Sequence, residues 1–344
     1  MADFQTAVYI GRFQPIHRAH LESIRRALDH ADRLILFVGS SNRVYTVKNP
    51  WTYDERRTLI ASALAEYLPD GPTPLDRITV LPLRDYMYND YKWAAEVYAK
   101  ATTNGATEDH KTMLVGCDKD DSSYYLKMFP QWHWERIPYL YNLDATDIRQ
   151  RLFEAGGLEE DTIQPSTQAF ANDWIAAPES KLLREAYAYY RDYHEKWASA
   201  PFVPVFVTVD SIVLKSGCVL LIKRGFHPGK GRWALPGGFL DPHESIRAAA
   251  IRELKEETRI KVPQRALDGN IQDIRVFDHP KRSLRGRTIT HVHLIDLGYG
   301  PLPSVKAASD ASGAHWVPLA DVMQMEHAFF EDHYDIIVNM VSKY

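Results

Sequence analysis

Three glutamates, Glu253, Glu256 and Glu257, stand in one helical stretch where they fall on or beside its apolar stripe. At about 100° per residue, Ile246, Ala249, Ala250 and Leu254 define that stripe, whereas Arg247, Lys255 and Arg259 point elsewhere. Gathering three carboxylates within roughly a third of a helix circumference is costly in desolvation and repulsion unless cations sit among them. Hard oxygen ligands of this kind suit Mg²⁺ or Mn²⁺.

A second set of reactive side chains lies near the N-terminus, in VYIGRFQPIHRAH over residues 8–20. The pattern predicts a strand ending at Ile10, a tight turn at Gly11 and a helix opening after Pro15, whose N-terminus can hold an anion. His17 and His20, three apart, both face that anion, and imidazole donors there would stabilise charge developing on a leaving diphosphate. In LDATDIRQRL, residues 143–152, Asp144, Thr146 and Arg149 precede and open another helix. Hydroxyl, backbone N–H groups and guanidinium can converge there on phosphate. A basic run over residues 278–293 carries Lys281, Arg282, Arg285 and Arg287 beside a strand, a spacing equally compatible with diphosphate contact and with a solvated loop.

The elements that must position these groups fall into two patterns. Apolar runs at residues 7–10, 34–38, 78–81 and 113–115 alternate with helix-like segments at 21–28, 55–67 and 92–99, which predicts a parallel α/β sheet. Residues 179–197 read as a helix, and the two prolines of SAPFVPVFVTVD mark a boundary. From Phe206 onward, strands VFVTVD, CVLLIKR and ITHVHLIDL surround the glutamate helix, with a last helix near residues 327–342. The division expected is 1–185, a boundary helix over 186–202, and 203–344.

A chain of 344 residues, 45% hydrophobic and 25% charged, is long enough for two globular cores. Its net charge of −4 gives no global reason to expect nucleic acid or an anionic membrane, so phosphate recognition must be local. Two cysteines, Cys117 and Cys218, are too few for a disulfide framework or zinc site and suit a reducing cytoplasm. No basic region precedes an apolar run at the N-terminus, and no apolar stretch approaches the 18 or so residues of a membrane span. Oligomeric state is left open, a homo-oligomer being compatible with everything above.

The spacing of Gly238, Glu244, Arg252, Glu253, Glu256, Glu257 and Ile260 resembles the Nudix box, departing from it only where Arg259 replaces the usual glycine. The G-x-F-x-P-x-H-x-x-H of the N-terminal run resembles the nucleotidylyltransferase H-x-G-H signature, with Ala19 for glycine. Residues 143–152 resemble that family's S-x-T-x-x-R element, with Asp144 for serine. The runs at residues 40–57, 84–93 and 115–132 look like the archaeal-type nicotinamide mononucleotide (NMN) adenylyltransferases. Together these cover nearly the whole chain and resemble the bifunctional NMN adenylyltransferase/Nudix hydrolases.

That resemblance implies a Rossmann-like nucleotidylyltransferase domain followed by an α+β Nudix sandwich. It implies adenylyl transfer from ATP to NMN, giving NAD and diphosphate, and metal-dependent hydrolysis of ADP-ribose to AMP and ribose 5-phosphate, with Mg²⁺ or Mn²⁺ in both domains. His17, His20 and Arg149 would be catalytic in the first reaction, with ATP on Gly11, Arg12, Phe13, Gly116, Asp118 and Thr146. NMN would meet Arg56 at its phosphate, Asn89 or the backbone near Tyr86 at its carboxamide and Trp93 at its ring. Glu253, Glu256 and Glu257 would hold metal, Glu257 acting catalytically, with ADP-ribose on Arg282, Arg285 and Arg287. Two other readings are a Nudix domain that senses a nucleotide, against which the intact glutamates argue, and a first domain that loads phosphopantetheine, against which DKDDSSYYL argues.

Overall fold

The computed structural model describes residues 2–68, 74–109, 111–117, 121–138, 141, 143–159 and 161–342. The chain separates into two compact units, Met1–Arg184 and Glu185–Tyr344.

The first unit alternates strand and helix: β1 (Phe4–Gly11), α1 (Arg18–His30), β2 (Ala31–Val38), α2 (Tyr53–Tyr67), β3 (Ile78–Pro82), α3 (Asp90–Thr103), β4 (Thr112–Gly116), β5 (His133–Arg136), α4 (Ala145–Ala155) and α5 (Pro165–Ala176). Its strands form one parallel sheet in the order β3-β2-β1-β4-β5, with Val8 opposite both Ile35 and Leu114. Strand period sorts the two faces. Ala7, Leu34, Leu36 and Met113 pack on α1 and α2, and Val8, Ile35, Phe37 and Leu114 pack on α3. The chain leaves β1 for β2 and returns to β4 on the other side, so the crevice at a topological switch point opens beyond Gly11 and Gly116. Capping fixes the helices that border it. Thr52 and Glu55 form a reciprocal capping box on α2, and Asp144 Oδ1 accepts from Thr146 N at 2.8 Å on α4.

Helix α6 (Lys181–Trp197) leads into the second unit. There follow β6 (Val205–Lys215), β7 (Cys218–Arg224), β8 (Trp233–Ala234), β9 (Gly237–Phe239), α7 (Ile246–Thr258), α8 (Gln264–Gly269), β10 (Ile271–Phe277), β11 (Arg287–Asp296), β12 (Ala311–Pro318), α9 (Leu319–Val322) and α10 (His333–Val341). The mixed sheet runs β10-β11-β6-β7-β12, with β9 on β6 and β8 on β7; among the described strands only β11 and β6 pair in parallel, and Trp233 of β8 makes a lone parallel bridge to Phe329. Ile251 and Leu254 of α7 pack on Val213, Leu220 and Ile295. Close approach explains two glycines of β9: an added Cβ at Gly237 would meet Val209 O, and one at Gly238 would meet the Glu253 carboxylate.

The expected strands and helices recur within a few residues. Edge strands β5, β10 and β12 and helix α5 lie outside the expectation. The exposed or half-buried alternation of β10, IQDIRVF, reflects one solvated face rather than the continuous apolar run of the central strands.

Candidate active sites

In the first unit a cavity of about 230 Å³ opens at the switch point, lined among others by Gly11, Arg12, Phe13, His17, His20 and Arg149. The imidazoles of His17 and His20 stack with centroids 3.7 Å apart, and Phe13 meets His20 edge-on at 4.9 Å. Burial, followed by the neighbouring His17 and Arg12, drives the His20 pKa well below its ordinary value. A neutral ring results, and His20 Nδ1 is buried with no hydrogen-bond partner among the described residues. Arg12 Nη1 is likewise buried and unmatched. Arg149 is buried, donates to Gln14 O at 2.5 Å and Thr146 Oγ1 at 3.2 Å, and is pushed down to about 9 by burial and then Arg12. Buried donors that nothing satisfies are costly. An anion entering among them would restore their hydrogen bonds, which fits the phosphates of a nucleotide.

Gln14 and Arg56 hold this wall in shape. Gln14 Nε2 donates to Trp51 O at 2.9 Å while Trp51 N donates to Gln14 Oε1 at 3.2 Å. Arg56 Nη1 donates to Arg12 O and Gly39 O, both at 2.7 Å, and its side chain is fully buried. The expectation that Arg56 grips a substrate phosphate is therefore corrected: its guanidinium is committed to backbone carbonyls, so it braces the loop that presents Arg12. A sequence position after a helix start says only that an arginine is near the site. Gln14 stood inside the motif without a signal of its own.

The other expected ligands divide. Gly116 and Thr146 border the cavity without lining it, and Asp118 lies outside the described residues. Tyr86, Asn89 and Trp93 also lie away from its lining. Tyr86 Oη donates to Glu96 Oε2 at 2.7 Å, Asn89 caps α3 by accepting from Lys92 N at 2.9 Å, and Trp93 packs edge-on to Tyr125 at 5.8 Å.

In the second unit, Ser245 Oγ accepts from Ala248 N at 3.2 Å to start α7. The helix ends at Arg259 with φ 46°, a left-handed cap that a glycine would adopt without strain. Glu257 is buried and Glu253 half-buried, whereas Glu256 is exposed, so the expectation of three inward carboxylates holds for two. Arg252 ties this face together: it donates to Glu244 Oε1 at 2.6 Å, Glu253 Oε1 at 2.8 Å and Glu256 Oε2 at 3.1 Å. Glu257 Oε2 accepts from Gly237 N at 2.9 Å, and Asp210 Oδ2 accepts from Thr290 Oγ1 at 2.5 Å. Burial, then Glu253 and Asp210, pushes Glu257 up to about 8 against the Gly237 hydrogen bond.

Among the described residues no three His, Cys, Asp or Glu side chains converge as a ready metal cage. The donor chemistry still fits a hard divalent cation. Glu257 is a carboxylate whose charged form is penalised chiefly by burial and only partly supported by Arg224, and Arg252 supplies the charge that holds Glu253 and Glu256.

Of the expected ADP-ribose contacts, Arg282 is corrected. It is buried in a two-pronged ion pair with Asp332, Nε to Oδ2 at 2.8 Å and Nη2 to Oδ1 at 2.9 Å, and so staples the loop to the start of α10. Arg287 pairs with Asp278 at 3.6 Å. Arg285 lies over the Phe239 ring at 5.3 Å.

Fold and sites define a two-unit nucleotide enzyme, a parallel α/β unit that receives phosphates joined to a mixed-sheet unit built on a glutamate helix. Family comparison agrees unit by unit: residues 8–151 match the cytidylyltransferase-like family and residues 204–339 the NUDIX domain. A nicotinamide/nicotinic acid mononucleotide adenylyltransferase of Acinetobacter baylyi is 32% identical over 54% of this chain and 95% of its own length. An ADP-ribose pyrophosphatase of Methanocaldococcus jannaschii is 39% identical over 38% of this chain and 70% of its own. Along the full length, the crystal structure of a bifunctional NMN adenylyltransferase/ADP ribose pyrophosphatase from Francisella tularensis, complexed with AMP and a manganese ion, is similar at 35% identity and a TM-score of 0.91, covering 99% of each chain. The chain belongs to the family of bifunctional NMN adenylyltransferase/ADP-ribose pyrophosphatases. No described helix is long and apolar enough to cross a membrane.

Proposed function

We propose that the first unit joins ATP and NMN into NAD and that the second hydrolyses ADP-ribose. The observation that carries the first half is the cavity in which Arg12 Nη1 and His20 Nδ1 are buried without partners beside Arg149. An oxygen of the NMN 5′-phosphate attacks the α-phosphorus of ATP, the bond to the β-phosphate breaks, and diphosphate leaves. No protein nucleophile is required, since such transfers depend on positioning and charge neutralisation. Arg12, Arg149 and the His17/His20 pair receive the charge that grows on the leaving diphosphate. Gly11, Phe13, Gly116, Asp118 and Thr146 complete the ATP side by their place in the family motifs. Tyr86, Asn89 and Trp93 form the NMN side on the same ground, and Trp93→Ala should raise KM for NMN far more than KM for ATP.

In the second unit, water attacks a phosphorus of the diphosphate and the P–O–P bridge opens to AMP and ribose 5-phosphate. A bound Mg²⁺ or Mn²⁺ would neutralise the diphosphate and lower the pKa of water. Glu253, Glu256 and Glu257 would hold it, Arg252 would orient them, and Arg285 and Arg287 would face ADP-ribose. Each unit should fold when the chain is divided near residue 185. The use of ATP and the two free cysteines support a cytoplasmic setting.

Two assays test the pair of activities. Purified protein is given ATP and NMN, then separately ADP-ribose, with products resolved by chromatography. Glu257→Gln should lose most hydrolysis and the metal-induced rise in melting temperature, while its melting temperature in chelator stays level or rises as like-charge repulsion is relieved. Hydrolysis that persists in excess chelator would defeat the metal reading.

A further inference from the structure

Arg224, at the C-terminal end of β7, belonged to no motif, yet it stands in an unusual setting. Its Nε donates to Pro228 O at 2.6 Å and its guanidinium lies 4.4 Å over the Phe330 ring. Its terminal nitrogens make no hydrogen bond among the described residues. Arg285 shares the same ring at 5.8 Å and lies over Phe239 at 5.3 Å, while its Nη2 reaches Glu331 only at 3.4 Å. Two guanidiniums thus share one aromatic ring and lie in the field of one carboxylate, Glu331, which itself accepts from Ser283 Oγ at 2.6 Å. Burial, and then Arg285, pulls the Arg224 pKa down against the opposing fields of Glu331 and Glu257. Phe239 closes β9, whose Gly237 N–H is bonded to Glu257, so this positive charge stands beside the glutamate helix.

Arg224 ends β7 and Arg285 lies in the loop before β11, and α6 meets the chain next to each. His227, three residues after Arg224, meets Glu185 Oε2 at 3.2 Å, and His194 Nε2 meets Leu284 O, next to Arg285, at 2.8 Å. Tyr193 and Trp197 pack edge-on to Phe206 at 5.8 and 5.3 Å, and Phe206 packs on Phe239 at 5.9 Å. A helix that reads in sequence as a connection is thereby fastened beside Arg224, beside Arg285 and, through Phe206, to Phe239.

We propose that Arg224, with Arg285, forms the anion grip that receives the diphosphate of the ligand against the Phe330 ring, and that α6 is the positioning element that sets the two arginines at one gap. The inference deepens the reading of the second unit as a diphosphate hydrolase and rests on it for the identity of the ligand. Guanidiniums bind phosphate oxygens in pairs, and a ligand held there would carry its phosphates toward Glu253 and Glu257.

The test uses the full chain with Arg12→Gln/His17→Ala/His20→Ala/Arg149→Gln as background, so that the cations and the imidazoles of the first site are all removed. Inorganic diphosphate is titrated calorimetrically in chelator, with no turnover to confuse binding. Arg224→Gln should weaken binding by on the order of tenfold or more, the worth of a charged hydrogen bond, and Arg224→Lys should recover part of it. Diphosphate bound equally well by wild-type Arg224, Gln and Lys proteins would overturn the grip. ADP-ribose hydrolysis by the otherwise wild-type chain is scored separately. Diphosphate binding that depends on Arg224 in a chain that leaves ADP-ribose intact would keep the grip and sink the assigned substrate. For α6, His194→Ala should raise KM for ADP-ribose several-fold with kcat kept, and should add nothing once Arg285→Gln is present. A KM increase of equal size in both backgrounds would overturn the positioning role.

Discussion

The two sites are opposites in charge, and each is incomplete in its own way. The cavity beyond β1 gathers Arg12, Arg149 and two imidazoles, with buried donors that only an anion satisfies. The α7 face gathers Glu253, Glu256 and Glu257, with Glu257 held neutral until a cation arrives. The first site is rigid before its ligand comes, because Gln14 and Arg56 lock its backbone. The second is held by one cation, Arg252, which bridges Glu244, Glu253 and Glu256. A phosphate site can be preassembled from neutral donors and delocalised cations, whereas clustered carboxylates repel until metal binds.

The largest effect should come from the scaffold of the second site. Asp332→Ala leaves Arg282 buried without a partner and should cost the second unit about 3–5 kcal/mol in chemical denaturation. An unchanged denaturation midpoint would mean that the pair is no staple, and the contrast between a braced first site and a loosely held second would lose its sharpest exception.

Next comes the chemistry of the first site. His17→Ala and His20→Ala should each slow NAD synthesis on the order of 10²-fold, as removal of a charge-stabilising donor does, with ADP-ribose hydrolysis kept. Near-full synthesis in the double variant would break the claim that this site is built for developing negative charge.

Acidity should then separate the units. His20, held neutral in the fold, is protonated first in the unfolded chain, so stability of the first unit should begin to fall as pH drops below 6.5. Glu22 is held down to about 2 by hydrogen bonds from Arg25, and then by Arg26 and Tyr67, against burial. Its contribution is complete above its unfolded value of 4.5 and is lost as pH falls from there toward 2. Melting of the separately expressed first unit across pH should show two stages, and His20→Asn should remove only the earlier one, while in the second unit the buried His293 and His333 act in the same direction. A single-stage acid profile in both proteins would refute the neutral imidazole.

The smallest effect concerns the exit of α7. Arg259→Gly removes a side chain from a left-handed backbone and should raise the stability of the second unit by about 1 kcal/mol without changing hydrolysis. A loss of stability would show that the Arg259 side chain contributes more than its strain costs.

Much of this organisation is legible in the order of residues. Alternating apolar runs foretold the parallel sheet, because central strands buried on both faces are continuous in hydrophobicity. The glycine, histidine and glutamate motifs foretold a strand end, a helix start and a carboxylate-bearing helix where the structure has them, because turns, helix starts and helix faces are set by neighbours within one or two turns of chain. Arginines were the poorest guide. Arg56 and Arg282 look like ligand contacts in sequence and prove to be buried braces, and Arg224 looks like the end of a strand and proves to stand open beside Arg285. Nothing local distinguishes these cases, since a guanidinium reaches far from its own backbone and what it meets is decided by chain remote in sequence. Local spacing by itself determined the two motif sets, the two patterns of secondary structure and the sign of charge each site collects. Only the tertiary structure decided which cations are satisfied, that α6 is fastened to the arginine loops of the second unit, and that Glu257 is buried while Glu256 is not. Burial and partnership are properties of the packed chain, and they set the free energy of every charge in it.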